Sequence, residues 1–151
     1  MKPNPGLKFD PRAFLAKPGE GRAASSYATG QVIFAQGDPA DAVFYVQSGR
    51  VKLTIVSGQG KEAVVGIYSA TDFFAEASLA GQPLRIATAT TISKCHILRL
   101  VKSVMIRMLH DELAFSEFFV AHLLSRNIRV EADLVPARLF SICCRRTATA
   151  D

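Results

Sequence analysis

The stretch from Val51 to Tyr68 constrains this chain more than any other. Val51, Leu53 and Ile55 alternate with Lys52 and Thr54, so an extended segment there has one apolar face and one polar face. Ser57-Gly58-Gln59-Gly60-Lys61 places two glycines at a reversal, and Glu62 to Tyr68 runs back. The same pattern precedes it. Gln31 to Phe34 is a short apolar run, and Gln36-Gly37-Asp38-Pro39 turns it. Val43 to Val46 follows, and Ser48-Gly49-Arg50 turns again. Ile86 to Thr91 and Cys95 to Leu100 add two further strands. Short strands with turn signals about every ten residues predict an antiparallel sandwich or barrel.

Near Lys102 the period changes. Val104, Met105, Met108 and Leu109 fit a short helix, and a longer one is expected from Leu113 to Val135. One apolar stripe runs Phe119, Leu123, Val130, Leu134, and its neighbour runs Val120, Leu124, Ile128, Val135. Two adjacent stripes make a face wide enough to cover the β-domain on one side and meet a partner helix on the other. Packing on its own domain alone explains the pattern equally well. Pro136 ends or kinks this helix. Residues 136–151 then show no helical period, repeat or turn logic.

With 151 residues the chain suits one domain with a real core. Its net charge of +5 permits phosphate binding without requiring it. No apolar run reaches the roughly 20 residues that span a bilayer, so no membrane partner is expected. Pro3, Pro5, Pro11 and Pro18 exclude a long N-terminal helix, and no apolar block there reads as a secretory signal. Residues 1–25 are expected to be an extended lead-in with a short turn at Pro11 to Ala16. The cysteine count is odd and Cys143 adjoins Cys144, which suits a reducing cytoplasm. His96, His110 and His122 are scattered, with neither zinc-like spacing nor a nucleophile-and-base pattern, so the chain reads as a non-enzyme requiring no metal or cofactor.

The candidate site lies in Asp72 to Ala89. Phe73-Phe74 leads to an acidic turn at Glu76, Gly81-Gln82-Pro83 breaks the segment, and Arg85 enters the next strand. Small residues crowd it: Ala75, Ala77, Ser78, Ala80, Ala87. A guanidinium donates two parallel hydrogen bonds to a phosphate, and a carboxylate accepts from a sugar hydroxyl. The competing reading is a surface Glu–Arg pair beside a turn, which contributes little.

The run Thr29 to Leu53 resembles the opening of the cyclic-nucleotide-binding domain, with Gly30, Gly37, Phe44, Tyr45, Gly49 and Val51 in the family's order. Asp72 to Ala89 then resembles its phosphate-binding cassette. With Leu113 to Val135 added, the chain is most similar to the Crp/Fnr group of bacterial transcription regulators over roughly residues 26–135. This resemblance implies a mainly β fold with flanking helices: a double-stranded β-helix (jelly roll) over residues 26–101, then a short helix and a long dimerisation helix over residues 102–135. It implies a small-molecule effector, cyclic AMP or cyclic GMP, in a site formed by Ala75, Glu76, Ala77, Arg85, Ile86 and Ala87. Glu76 would take the ribose hydroxyl and Arg85 the cyclic phosphate. It also implies a homodimer through the long helix.

Three departures stand out. The family usually has Gly where this chain has Ala75, so a Cβ either blocks close approach of the ligand or sits at a strained positive φ. A Ser or Thr usually follows the Arg, and here it is Ile86. The match stops near Val135, so no helix-turn-helix is expected in residues 136–151, nor specific DNA binding by this chain alone. The sequence therefore reads as a cytoplasmic effector-sensing domain of Crp/Fnr type. The alternative is an orphan interaction module that dimerises, with itself or a full-length relative, without binding nucleotide.

Overall fold

The computed structural model describes residues 9–134, with side chains through Arg126. Eight strands carry the fold: β1 Arg22–Tyr27, β2 Val32–Phe34, β3 Ala42–Ser48, β4 Val51–Val56, β5 Glu62–Tyr68, β6 Phe73–Phe74, β7 Thr88–Thr91 and β8 Cys95–Val101. They form two antiparallel four-stranded sheets, ordered β1-β8-β3-β6 and β2-β7-β4-β5. Three helices accompany them: α1 Pro11–Ala16, α2 Lys102–Asp111 and α3 Leu113–Leu134. This is the mainly β jelly roll with flanking helices that the sequence predicts. The chain divides into two compact units after Phe115, so most of α3 belongs to the second.

The inner core of the first unit is aromatic at its centre. Phe74 stacks on Phe44 at 5.2 Å and on Tyr68 at 5.7 Å, and Phe34 lies 5.4 Å from Phe44. Ala42, Val46, Val51, Ala89, Cys95 and Ile97 close around these rings. Burying each large side chain stabilises the fold by about 1.5–3 kcal/mol, so this cluster dominates the driving force. A second buried group joins β3 and β6 to α1 and the first turn of α3. Tyr45 meets Phe73 at 4.9 Å, Phe73 meets Phe115 at 6.1 Å, and Phe115 meets Phe14 at 5.1 Å. Leu15 and Met105 are buried as well. Successive strand residues point to opposite faces, so Phe74 enters the inner core and Phe73 this outer one.

Gly49 sits at φ +92 in the β3–β4 turn, and a Cβ there would run into the Lys94 carbonyl and Cys95 Sγ. Only glycine tolerates both the backbone and the approach.

Three elements depart from the sequence expectation. In the lead-in of residues 1–25, the short turn expected at Pro11 to Ala16 is a helix, α1, and the first strand, β1, begins at Arg22, ahead of the jelly-roll start expected at residue 26. Asp10 caps α1 by accepting from Arg12 N–H, and Pro11 supplies a φ suited to a helix start. β1 reads Arg-Ala-Ala-Ser-Ser-Tyr and is an edge strand, so it shows no apolar alternation. The strand expected from Ile86 begins at Thr88 instead, because Arg85 is held in a separate backbone clamp described below. The helix expected to reach Val135 is described to Leu134, and the segment 136–151 lies outside the described residues.

Candidate ligand-binding site

The cassette begins with β6, whose register pairs Phe73 with Tyr45 and Phe74 with Phe44. Ala75 follows at φ 67 and ψ 27, a left-handed conformation, and is partly buried against the inner core. Of the two consequences open for this departure from glycine, the structure displays the strained positive φ. Thr71, just before β6, also lies in that region at φ 76. Glu76 opens a 3₁₀ helix that runs to Ala80, and Gly81 at φ 90 ends it by donating to the Ala77 and Ser78 carbonyls. Glu76 is half-buried, with Oε2 shielded from solvent, while Ala77 is exposed.

Pro83 to Arg85 then crosses beneath the β2–β3 connection. Ala40 N–H donates to the Pro83 carbonyl at 2.9 Å, Arg85 N–H to Asp38 at 2.7 Å, and Gly37 N–H to Arg85 at 2.8 Å. Arg85 is thereby fixed at both its backbone groups. Its side chain turns inward, leaving the residue 6% exposed. Nη2 donates to the Ala42 carbonyl at 2.9 Å, and the guanidinium carbon lies 4.4 Å from the Phe34 ring centroid and 5.4 Å from that of Phe44. Asp41 Oδ1 is 3.8 Å from Nη2. Nε is buried without a hydrogen-bond partner among the described residues. Burial holds the guanidinium pKa below its usual value; Asp41 and Asp38 oppose that effect, and Arg99 adds to it.

Ser78 Oγ donates to the same Ala42 carbonyl at 3.3 Å, so the turn that Glu76 opens and the tip of Arg85 converge on one acceptor. Ala87 is buried, whereas Ile86 is 57% exposed and contributes no side-chain donor. A cleft of about 250 Å³ adjoins Arg85, lined by Tyr27, Phe34, Asp41, Phe44 and Arg99 among others. Glu76, Ala75 and Ala77 are not among its lining residues.

Sequence reasoning missed Asp41, Ala42 and Arg99. Arg99 lies opposite Phe44 in the β3–β8 register, and its Nη2 is 3.1 Å from Asp41 Oδ2. The signal available in the sequence was the second acid in Asp38-Pro39-Ala40-Asp41, in the connection between the two strands whose Phe34 and Phe44 rings face Arg85.

A glycine-punctuated jelly roll, a 3₁₀ turn opened by Glu76 and a buried Arg85 agree with what a search of sequence families finds, a match to "Cyclic nucleotide-binding domain" over residues 24–112. The chain belongs to the cyclic nucleotide-binding domain family. Among curated relatives of this domain, the "Cyclic AMP receptor protein" of Thermus thermophilus is 32% identical over 108 residues, which is 72% of this chain and 49% of that protein. The "CRP-like cAMP-activated global transcriptional regulator" of Mycobacterium tuberculosis is 28% identical over 100 residues, 66% of this chain and 44% of that protein. The chain thus spans about half the length of these relatives. Among solved structures, the Thermus thermophilus catabolite activator protein superposes with a TM-score of 0.63 at 29% identity, covering 75% of this chain and 52% of that one. The regulator CLP of Xanthomonas campestris gives 0.70 at 21% identity over 91% of this chain and 63% of that one, a likeness of fold. The resemblance to Crp-type cyclic nucleotide-binding domains therefore stands. No helix among the described residues is long and apolar enough to cross a membrane.

Proposed function

We propose that this cyclic nucleotide-binding domain senses a cyclic nucleotide, cyclic AMP or cyclic GMP, on behalf of a Crp-type transcription regulator. The phosphate would sit on Arg85 and the ribose hydroxyl on Glu76, with Ala75, Ala77, Ile86 and Ala87 forming the walls of the cassette. The carrying observation is the state of Arg85: an almost wholly buried guanidinium with one neutral acceptor at 2.9 Å, one distant carboxylate and an unpartnered Nε. A buried charge so incompletely satisfied is costly for folding alone, and an anion that takes up the remaining donors offsets that cost. The relatives' names, which speak of cyclic AMP, support the same reading.

Two differences from the family pattern lower the expected affinity. Ile86 offers no hydroxyl to the phosphate, and a missing charged hydrogen bond weakens binding by about 1.5–3 kcal/mol, roughly ten- to a hundredfold. Ala75 holds the cassette backbone in a left-handed conformation that glycine adopts without strain, so any readjustment there on binding is more costly. Effector occupancy would bias the position of α3, and a ligand can do so only by its differential affinity for two states. Val120 and Leu124, one turn apart on α3, are exposed and are our candidates for the homodimer seam.

Isothermal titration with cyclic AMP and with cyclic GMP tests the proposal. Saturable heat with at least one, absent in Arg85→Met, is the expected result. No heat and no thermal shift with either would replace the sensor with the orphan dimerising module.

A further inference from the structure

Asp41 stands between two guanidiniums. Its Oδ2 is 3.1 Å from Arg99 Nη2, and its Oδ1 is 3.8 Å from Arg85 Nη2. Arg99 therefore holds it the more closely. Arg99 is carried by β8, directly across from Phe44 on β3, and β3 begins with the residue after Asp41. The ladder between these strands fixes both groups independently of the cassette. The Asp41 and Arg99 side chains are 63% and 40% exposed, whereas the Arg85 side chain is 5% exposed. One carboxylate cannot satisfy the planar forks of both arginines, and a carboxylate matches that fork as well as a phosphate does. Asp41 is thus a built-in competitor for the group assigned to the effector.

Resting on the effector reading above, we propose that Arg99 sets the affinity of the nucleotide site by drawing Asp41 away from Arg85. With Arg99 present, an arriving phosphate displaces only the long Asp41 contact, and Asp41 stays neutralised on β8. Without Arg99, Asp41 turns to Arg85 and competes with the phosphate directly. Arg99 and Asp41 are positioning residues here, acting through Arg85 rather than on the ligand.

A simpler effect of Arg99, its positive potential, would favour an anion whatever occupies position 41. A double-mutant cycle separates the two. Nucleotide affinity is measured by titration on the full chain for wild type, Arg99→Gln, Asp41→Asn and the double variant, with Arg99→Lys as the conservative rescue. Arg99→Gln is expected to weaken binding by at least about threefold in the wild-type background and by less than about twofold when Asp41 is already Asn, as coupled neighbours behave. Asp41→Asn alone is expected to tighten binding, and Arg99→Lys to restore most of the loss. An equal loss from Arg99→Gln in both backgrounds, or none in either, overturns the proposal. Thermal melts check that the exposed substitutions leave the fold intact. Should wild type bind neither nucleotide, the effector reading fails separately. The competition is then read on the protein alone, from the Arg85 Nε–H signal by NMR. Arg99→Gln should move that signal and slow its solvent exchange only where Asp41 is present, and an unmoved signal refutes the coupling.

Discussion

Replacing Arg85 with methionine separates the two roles this side chain could have, folding and ligand capture. The substitution keeps an unbranched side chain of similar reach and removes the charge. Three stabilising contributions disappear. The charged hydrogen bond to the Ala42 carbonyl is worth about 1.5–3 kcal/mol. The contacts with the Phe34 and Phe44 faces contribute about 0.5–2 kcal/mol. The 3.8 Å pair with the exposed Asp41 contributes about 0–1 kcal/mol. No acceptor is orphaned, because Ala42 keeps Ser78 Oγ at 3.3 Å and Asp41 keeps Arg99. Against these losses, the desolvation of a buried guanidinium, several kcal/mol, is relieved. A thioether against the phenyl rings returns about 0.3–1.5 kcal/mol. The opposing contributions nearly cancel, so stability should change by less than about 1.5 kcal/mol while nucleotide binding is lost. Urea unfolding followed by circular dichroism, with an unchanged m-value, measures the first part, and titration measures the second. A stability loss above about 3 kcal/mol would refute the reasoning, because Arg85 would then be a structural cation that the fold needs.

Further substitutions follow from the same geometry. Gly49→Ala pushes a methyl group into the Lys94 carbonyl and to 2.6 Å from Cys95 Sγ at φ +92, and should lower stability by about 2–5 kcal/mol in the same denaturation assay. Thr71→Gly relieves a β-branched residue at φ 76; about 1–2 kcal/mol of strain less about 0.4–1 kcal/mol of unfolded-chain entropy should raise Tm by about 2–4 °C in a thermal melt. Ile86→Ser restores a hydroxyl beside Arg85 and should tighten nucleotide binding by about tenfold or more in the calorimeter.

Much of the fold is legible in the sequence because its punctuation is physical. Gly49 marks a turn that admits no Cβ, and the Val51–Tyr68 hairpin alternates with period two. The long helix declares itself by stripes, and its start at Leu113 agrees with the structure. β1 was illegible because an exposed edge strand needs only backbone pairing with β8, and Ala-Ala-Ser-Ser carries no apolar alternation. The site divides in the same way. Glu76 and Arg85 stand out as charges among small residues. The groups that hold Arg85 do not, because Asp41 and Ala42 precede it by more than forty residues and meet it only through the clamp of residues 37–40. Only the register of β3 against β8 brings Arg99 into range of Asp41.

A strand of two residues, β6, has one side chain in each hydrophobic compartment: Phe74 among the rings between the sheets, Phe73 against Phe115 and Tyr45. It works as a rivet through the wall of the roll. Sliding it would open both compartments together, and left-handed residues flank it on either side, Thr71 before it and Ala75 after it. The residue before Glu76 thus follows directly on a strand whose other side chain rests on Phe115, the aromatic ring at the root of the long helix.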